Sequence, residues 1–174
     1  MRFPMTLGRF TLVTTIGTLL LIGAMISFLF FVVLEPVPFP AIKLLIVAWL
    51  FGMMLSLLFV VAIAPRAVRV TANTLSVERL FWPDFQVPLR QVTGVDEGPV
   101  ISMLGTVRRV AGNGGVMGFT GLFHVSDVGL VRCWATRFGV PTVLVRRADE
   151  RPLLLGVDDP AGLLKVLRRK RRVS

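Results

Sequence analysis

One cysteine and one histidine are all the thiol and imidazole this chain has. A lone Cys133 excludes a disulfide framework and a multi-cysteine metal site. His124 would need carboxylate partners to hold a metal, and the acidic residues show no ligand spacing. Acidic side chains are scarce too: ten Asp and Glu stand against twenty Lys and Arg, for a net charge of +10. Charge of either sign is missing altogether from residues 10–34 and 44–64. No lysine follows the cluster Gly112-Asn113-Gly114-Gly115-Val116-Met117-Gly118, which excludes a Walker phosphate loop, and no strand–helix unit surrounds it for a dinucleotide fold. His124, Ser126 and Asp127 are sequence neighbours that point different ways on a strand, whereas triad members come from separate elements. Nothing here reads as a catalytic constellation, so the expectation is a protein that is not an enzyme and uses no cofactor.

What is present first is apolar length. A helix rises about 1.5 Å per residue and needs about 20 residues to cross about 30 Å of hydrocarbon, which both charge-free runs satisfy. Thirteen of the residues from 44 to 63 are Leu, Ile, Val or Phe. They favour insertion by about 4 to 8 kcal/mol before the other residues are counted. The first run is longer than the apolar core of a signal peptide and ends in Val33-Leu34-Glu35-Pro36, without a small-x-small cleavage site. Pro36, Pro38 and Pro40 alternate between the runs and predict a short, stiff reversal. The expectation is a transmembrane helical hairpin over residues 1–65. Arg2 and Arg9 precede it and Arg66, Arg69 and Arg79 follow it, while the connection carries only Glu35 and Lys43. That bias predicts that both termini are cytoplasmic.

Residues 66–174 hold eight of the ten net positive charges and are enough for one small domain. Alternation predicts strands over residues 67–71, 74–80, 85–89 and 92–96. Residues 97–120 carry six glycines with no single apolar period and read as a long, irregular connection. Strand signals return at 129–136, 142–146 and 152–157, with Ala148-Asp149-Glu150 as a hairpin turn. Asp159 then suits an N-cap, Pro160 the first helical position, and Leu163, Leu164 and Leu167 an apolar stripe. Antiparallel strands closed by one C-terminal helix make the fold class α+β.

The segments Gly118-Phe119-Thr120-Gly121-Leu122-Phe123, Gly129-Leu130-Val131-Arg132-Cys133-Trp134-Ala135-Thr136, Thr142-Val143-Leu144-Val145 and Gly156-Val157-Asp158-Asp159-Pro160 carry a further likeness. In that order they resemble the bacterial pleckstrin-homology-like membrane proteins. Gly156-Val157 stands where that family usually has serine and proline. The resemblance implies two curved sheets in a sandwich or barrel, one open end plugged by the last helix. It also implies kinship with an immunity-type protein, and these are scaffold motifs that say little of function.

The charged features that stand out are Arg108 and Arg109 beside the glycine cluster, and the run Arg168, Arg169, Lys170, Arg171 and Arg172 at the end of the last helix. Five cations at a helix C-terminus complement its dipole, and cations beside an anionic leaflet contribute about 1 kcal/mol each. These seven residues are the expected contacts for anionic lipid. No recognition motif or aromatic interleaving points to nucleic acid. The expectation is a membrane-anchored binding or scaffolding module that meets a protein partner. The alternative is an accessory or immunity-type subunit acting through its spans, where Gly17, Gly23, Ala24, Ser27, Gly52 and Ser56 would permit close helix packing.

Overall fold

The computed structural model describes residues 1–34, 40–101, 107–137 and 139–171. The two apolar runs form helices α1 (Arg9–Leu34) and α2 (Pro40–Ala62). Both are long and apolar enough to cross a membrane, and 6% of each apolar window is buried within the protein. Leu20, Phe30, Leu44 and Leu45 stand about two-thirds exposed, so these helices do not serve as a soluble core. Pro40 opens α2, where its missing N–H leaves no helical bond unmade. The remainder of the expected reversal, residues 35–39, lies outside the described residues.

The chain enters the soluble fold before α1, not after α2. Arg2–Pro4 is a strand, β1, antiparallel to β2 (Pro65–Val70) with Arg2 opposite Arg69 and Pro4 opposite Ala67. The Met1 ammonium donates to the Val70 carbonyl at 2.8 Å, and Glu78 takes ion pairs from both Arg2 and Arg69. The division at residue 65 therefore needs correction, because the first residues are sheet. Their alternation, three residues long, is too short to register as a strand pattern.

Strands β3 (Thr74–Arg79) and β4 (Phe85–Pro88) complete a four-stranded sheet in the order β1-β2-β3-β4. A 3-10 turn at Leu89–Gln91 leads into β5 (Val92–Gly98). β6 (Val107–Gly115), β7 (Gly118–Val125), β8 (Gly129–Ala135), β9 (Thr142–Arg147) and β10 (Leu153–Gly156) join β5 in a second sheet, ordered β5-β9-β10-β8-β7-β6. One pairing is parallel, β10 on β8, so the second sheet is mixed, while the first is antiparallel throughout as expected. The irregular connection expected over residues 97–120 is mostly strand: β5 runs to Gly98, and β6 and β7 form a hairpin.

Two apolar clusters flank the second sheet, which explains why its central strands are apolar on both faces. Val143, Val145, Leu153, Leu155 and Trp134 face the first sheet and α3 (Pro160–Arg171), whose Leu163, Leu164 and Leu167 close that cluster. Leu144, Leu154, Val131, Cys133 and Ala135 face the other way, with Phe119, Phe123 and Val125. Asp159 caps α3 as expected, accepting the Gly162 N–H at 2.9 Å. The arrangement of two long apolar helices, two sheets and a closing helix is α+β.

Candidate functional site

Both helices are tied into one end of the soluble fold. α1 starts five residues after β1, and α2 ends three residues before β2. At the close of α2 the loop after β3 folds back: Leu80 N–H donates to the Ala64 carbonyl at 3.0 Å and Phe81 N–H to that of Ala62 at 3.1 Å. Trp82 then sits edge-on to Phe59, ring centroids 5.5 Å apart, while Phe81 is 77% exposed.

The glycine cluster belongs to the same end. Gly115, Met117 and Gly118 all have positive φ and turn β6 into β7, and Asn113 braces the turn by donating to the Gly118 carbonyl at 2.9 Å. The turn lies against the first turns of α1. Thr14 Oγ1 donates to the Gly115 carbonyl at 2.8 Å, and Met117 N–H donates to Thr15 Oγ1 at 2.9 Å. Phe10 stacks on Phe119 at 6.3 Å. Thr136 completes the joint: its carbonyl accepts the Gly8 N–H at 3.1 Å and Thr11 Oγ1 at 2.7 Å, and its hydroxyl donates to the Thr6 carbonyl at 2.8 Å. Thr11 and Thr15, polar positions in an apolar helix, are buried here and satisfied. The glycines thus serve a tight turn seated on a helix, not a phosphate cradle.

Six of the seven cations expected to meet lipid are among the described residues, and they fall in two groups. Arg108 and Arg109 are exposed on β6, an edge strand, opposite His124 and Phe123. Along β6 they stand seven and six residues before Gly115, but the strand bends: a Cβ on Gly114 would meet the Arg109 Nη1 at 3.2 Å, so the Arg109 side chain borders the turn that touches α1. Arg168, Lys170 and Arg171 donate to backbone carbonyls, of Val95 at 3.2 Å, Thr71 at 2.6 Å and Thr93 at 2.7 Å. Arg169 is exposed on the same helix, and Arg172 lies outside the described residues. Thr71 follows the last residue of β2, so Lys170 is about 20 Å of strand from the end of α2. α3 packs toward β5 and β6 is the opposite edge of that sheet, so the two cationic groups do not form one surface. Cations that do sit where the helices emerge are Arg9, Arg66 and Arg137, the last paired with Asp158 at 3.5 Å.

A second constellation joins residues that no sequence spacing groups. Phe85 packs on Trp134 with ring centroids 4.6 Å apart. Around them stand Arg79, 5.9 Å from either ring; Arg132, 5.2 Å from Phe85 and 5.7 Å from Trp134; and Arg147, 5.9 Å from Phe85. Burial, and then the charge of Arg132, holds the Arg79 guanidinium below the usual arginine range, with Asp84 acting the other way. Burial also lowers Arg147, against the opposing pull of Glu150. The alternation in β8, which sets Arg132 and Trp134 on one face, is the only part of this legible in sequence.

Among the described residues no three of His, Cys, Asp and Glu gather as metal ligands. Burial pushes the Cys133 thiol up and out of reach of base. No family model, curated protein or solved structure matches the chain.

Proposed function

We propose that this chain is a membrane-anchored, non-enzymatic binding or scaffolding module, a pleckstrin-homology-like domain on a two-helix hairpin. It works at the inner face of a bacterial cell membrane and docks a protein partner. The pairing of β1 with β2 carries this reading. Residues 2–4 precede α1 and residues 67–69 follow α2, yet they form one ladder. If each helix crosses a bilayer, two crossings return the chain to the side it left, which is what a ladder of that kind requires. Arg2, Arg9, Arg66 and Arg69 gather on that side, favouring the cytoplasm.

The joint at α1 and the fold-back at α2 support a domain held in fixed orientation. Phe81 and Trp82 are the aromatic pair expected at a membrane–water boundary, and Arg9 and Arg66 stand ready for anionic headgroups. The α3 cations bond to carbonyls of Thr71, Thr93 and Val95, away from the helices, which suits an acidic protein surface better than lipid, while Arg109 borders the turn on α1.

A specific observation favours the accessory-subunit reading as the second choice. A Cβ built on Gly17, Gly23 or Gly52 meets nothing within 4 Å, so these glycines do not serve packing between α1 and α2. Alkaline extraction and crosslinking in native membranes test both readings. The chain should remain in the pellet and crosslink to a protein through probes at Val110 on β6. Crosslinks arising only from probes at Gly23 favour the accessory subunit. Release into the alkaline supernatant contradicts both.

A further inference from the structure

Three guanidinium groups around one pair of rings are a costly arrangement, relieved in part by Glu150 on Arg147 and by the charge of Asp84 acting on Arg79. Like charges repel, and more strongly near a protein surface than in bulk water. The rings offset part of this through cation–π attraction but accept no pair of N–H bonds. Arg147 has its own partners: its Nε donates to the Arg151 carbonyl at 2.9 Å and Nη1 pairs with Glu150. Its side chain is 3% exposed, so it forms a fixed wall. Arg79 and Arg132 differ. Among the described residues neither guanidinium makes a hydrogen bond or ion pair within the protein, and the Arg79 Nε is buried without a partner. Both residues are otherwise half-buried.

We propose that Arg79 and Arg132, converging over Phe85 and Trp134 with Arg147 as the third wall, form a binding site for a phosphate group. Planar guanidiniums present paired N–H donors that match phosphate oxygens, and two of them on one anion give the geometry a lysine cluster cannot. A carboxylate offers two oxygens and one charge. A phosphomonoester offers three oxygens and up to two charges, which fits two unpartnered guanidiniums and a third nearby. The group belongs to free phosphate or to a lipid headgroup. Arg79 pairs with Pro65 in the ladder, one residue beyond the bond from Leu80 to Ala64, so headgroups come close. The headgroup source rests on the proposed membrane reading; the free-phosphate source does not.

Trp134 reports on the site directly. The full chain with Trp49→Phe and Trp82→Phe, in phosphatidylcholine nanodiscs, is titrated with inorganic phosphate at constant ionic strength set by chloride. The expected result is a saturable change in Trp134 emission, absent with chloride alone. Arg132→Met, which keeps the apolar stem, should weaken the response at least tenfold, and Arg168→Gln should leave it within twofold. Arg79→Met serves as the second variant should Arg132→Met not fold. No saturable change in the arginine-intact protein, or an unchanged response in the folded variant, overturns the site. Discs containing phosphatidic acid separate the sources. A headgroup occupant yields the phosphate-saturated spectrum before any phosphate is added, and a free-phosphate occupant leaves the titration as it was in phosphatidylcholine. A chain that leaves the membrane on alkaline extraction yet gives the titration keeps this site and loses the membrane reading.

Discussion

Met117 N–H donates to Thr15 Oγ1 at 2.9 Å, joining a turn of the soluble fold to a helix hydroxyl 102 residues earlier in the chain. Thr15 also donates to the Thr11 carbonyl at 2.6 Å, so one hydroxyl both accepts from the turn and satisfies itself on the helix. Thr15→Val keeps the shape and removes the acceptor. The Met117 N–H is then unpaired, which costs about 1–3 kcal/mol. Thermal unfolding of the variant in detergent should shift down accordingly, while helix content by circular dichroism stays the same.

Glu78, with a side chain 10% exposed, holds Arg2 at 2.8 Å and Arg69 at 2.6 Å, clasping β1 onto β2. Glu78→Gln removes the charge that both half-exposed arginines share. A loss of about 1–2 kcal/mol is expected, below that of a fully buried pair because solvent screens the arginine side. Amide exchange should rise first at Phe3, ahead of the other strands.

Gly118 has φ 129°, and a Cβ there would stand 2.6 Å from the Ala135 carbonyl oxygen. Gly118→Ala meets both a disfavoured backbone and a backbone atom that cannot retreat. It should cost at least the roughly 1–3 kcal/mol typical of such strain. Gly23→Ala, where nothing lies within 4 Å, should leave unfolding unchanged. Denaturation curves of the two variants side by side make the comparison.

Cys133 lies fully buried in the cluster behind the second sheet, and burial raises its thiol far above the usual range. The folded state therefore keeps a proton that the unfolded state releases above its ordinary value of about 8.5. The contribution is present in full below that pH and is lost as pH rises beyond it. Stability should decline above about pH 8.5, and Cys133→Ala should flatten that decline. Maleimide should label the thiol only under denaturing conditions.

Apolar runs, the cap at Asp159, the α3 stripe and the hairpin at residues 148–150 were legible because each is a local pattern with a single physical cause. β1 escaped because three residues hold no period, and its partner is 65 residues away. β6 and β7 escaped because glycine contributes no side-chain alternation; Gly112 and Gly121 face each other across the ladder, where either Cβ would strike backbone. The charge run of α3 was visible, but its placement was not: Lys170 finds Thr71 only after β2 and β3 have been folded into a sheet. Arg79, Arg132 and Arg147 lie on three strands of two sheets, so nothing short of the fold assembles them.

The account depends on the two helices crossing a bilayer and returning, so that β1 and β2 pair on the cytoplasmic side. Single-cysteine variants in a Cys133→Ala background, Pro38→Cys between the helices and Asp149→Cys in the hairpin after β9, test it with a membrane-impermeant maleimide on cells whose inner membrane is intact. Labelling at residue 38 alone, with residue 149 reacting only once the inner membrane is opened, is the result the account predicts. Labelling of residue 149 on sealed cells, or protection of residue 38 there, contradicts it.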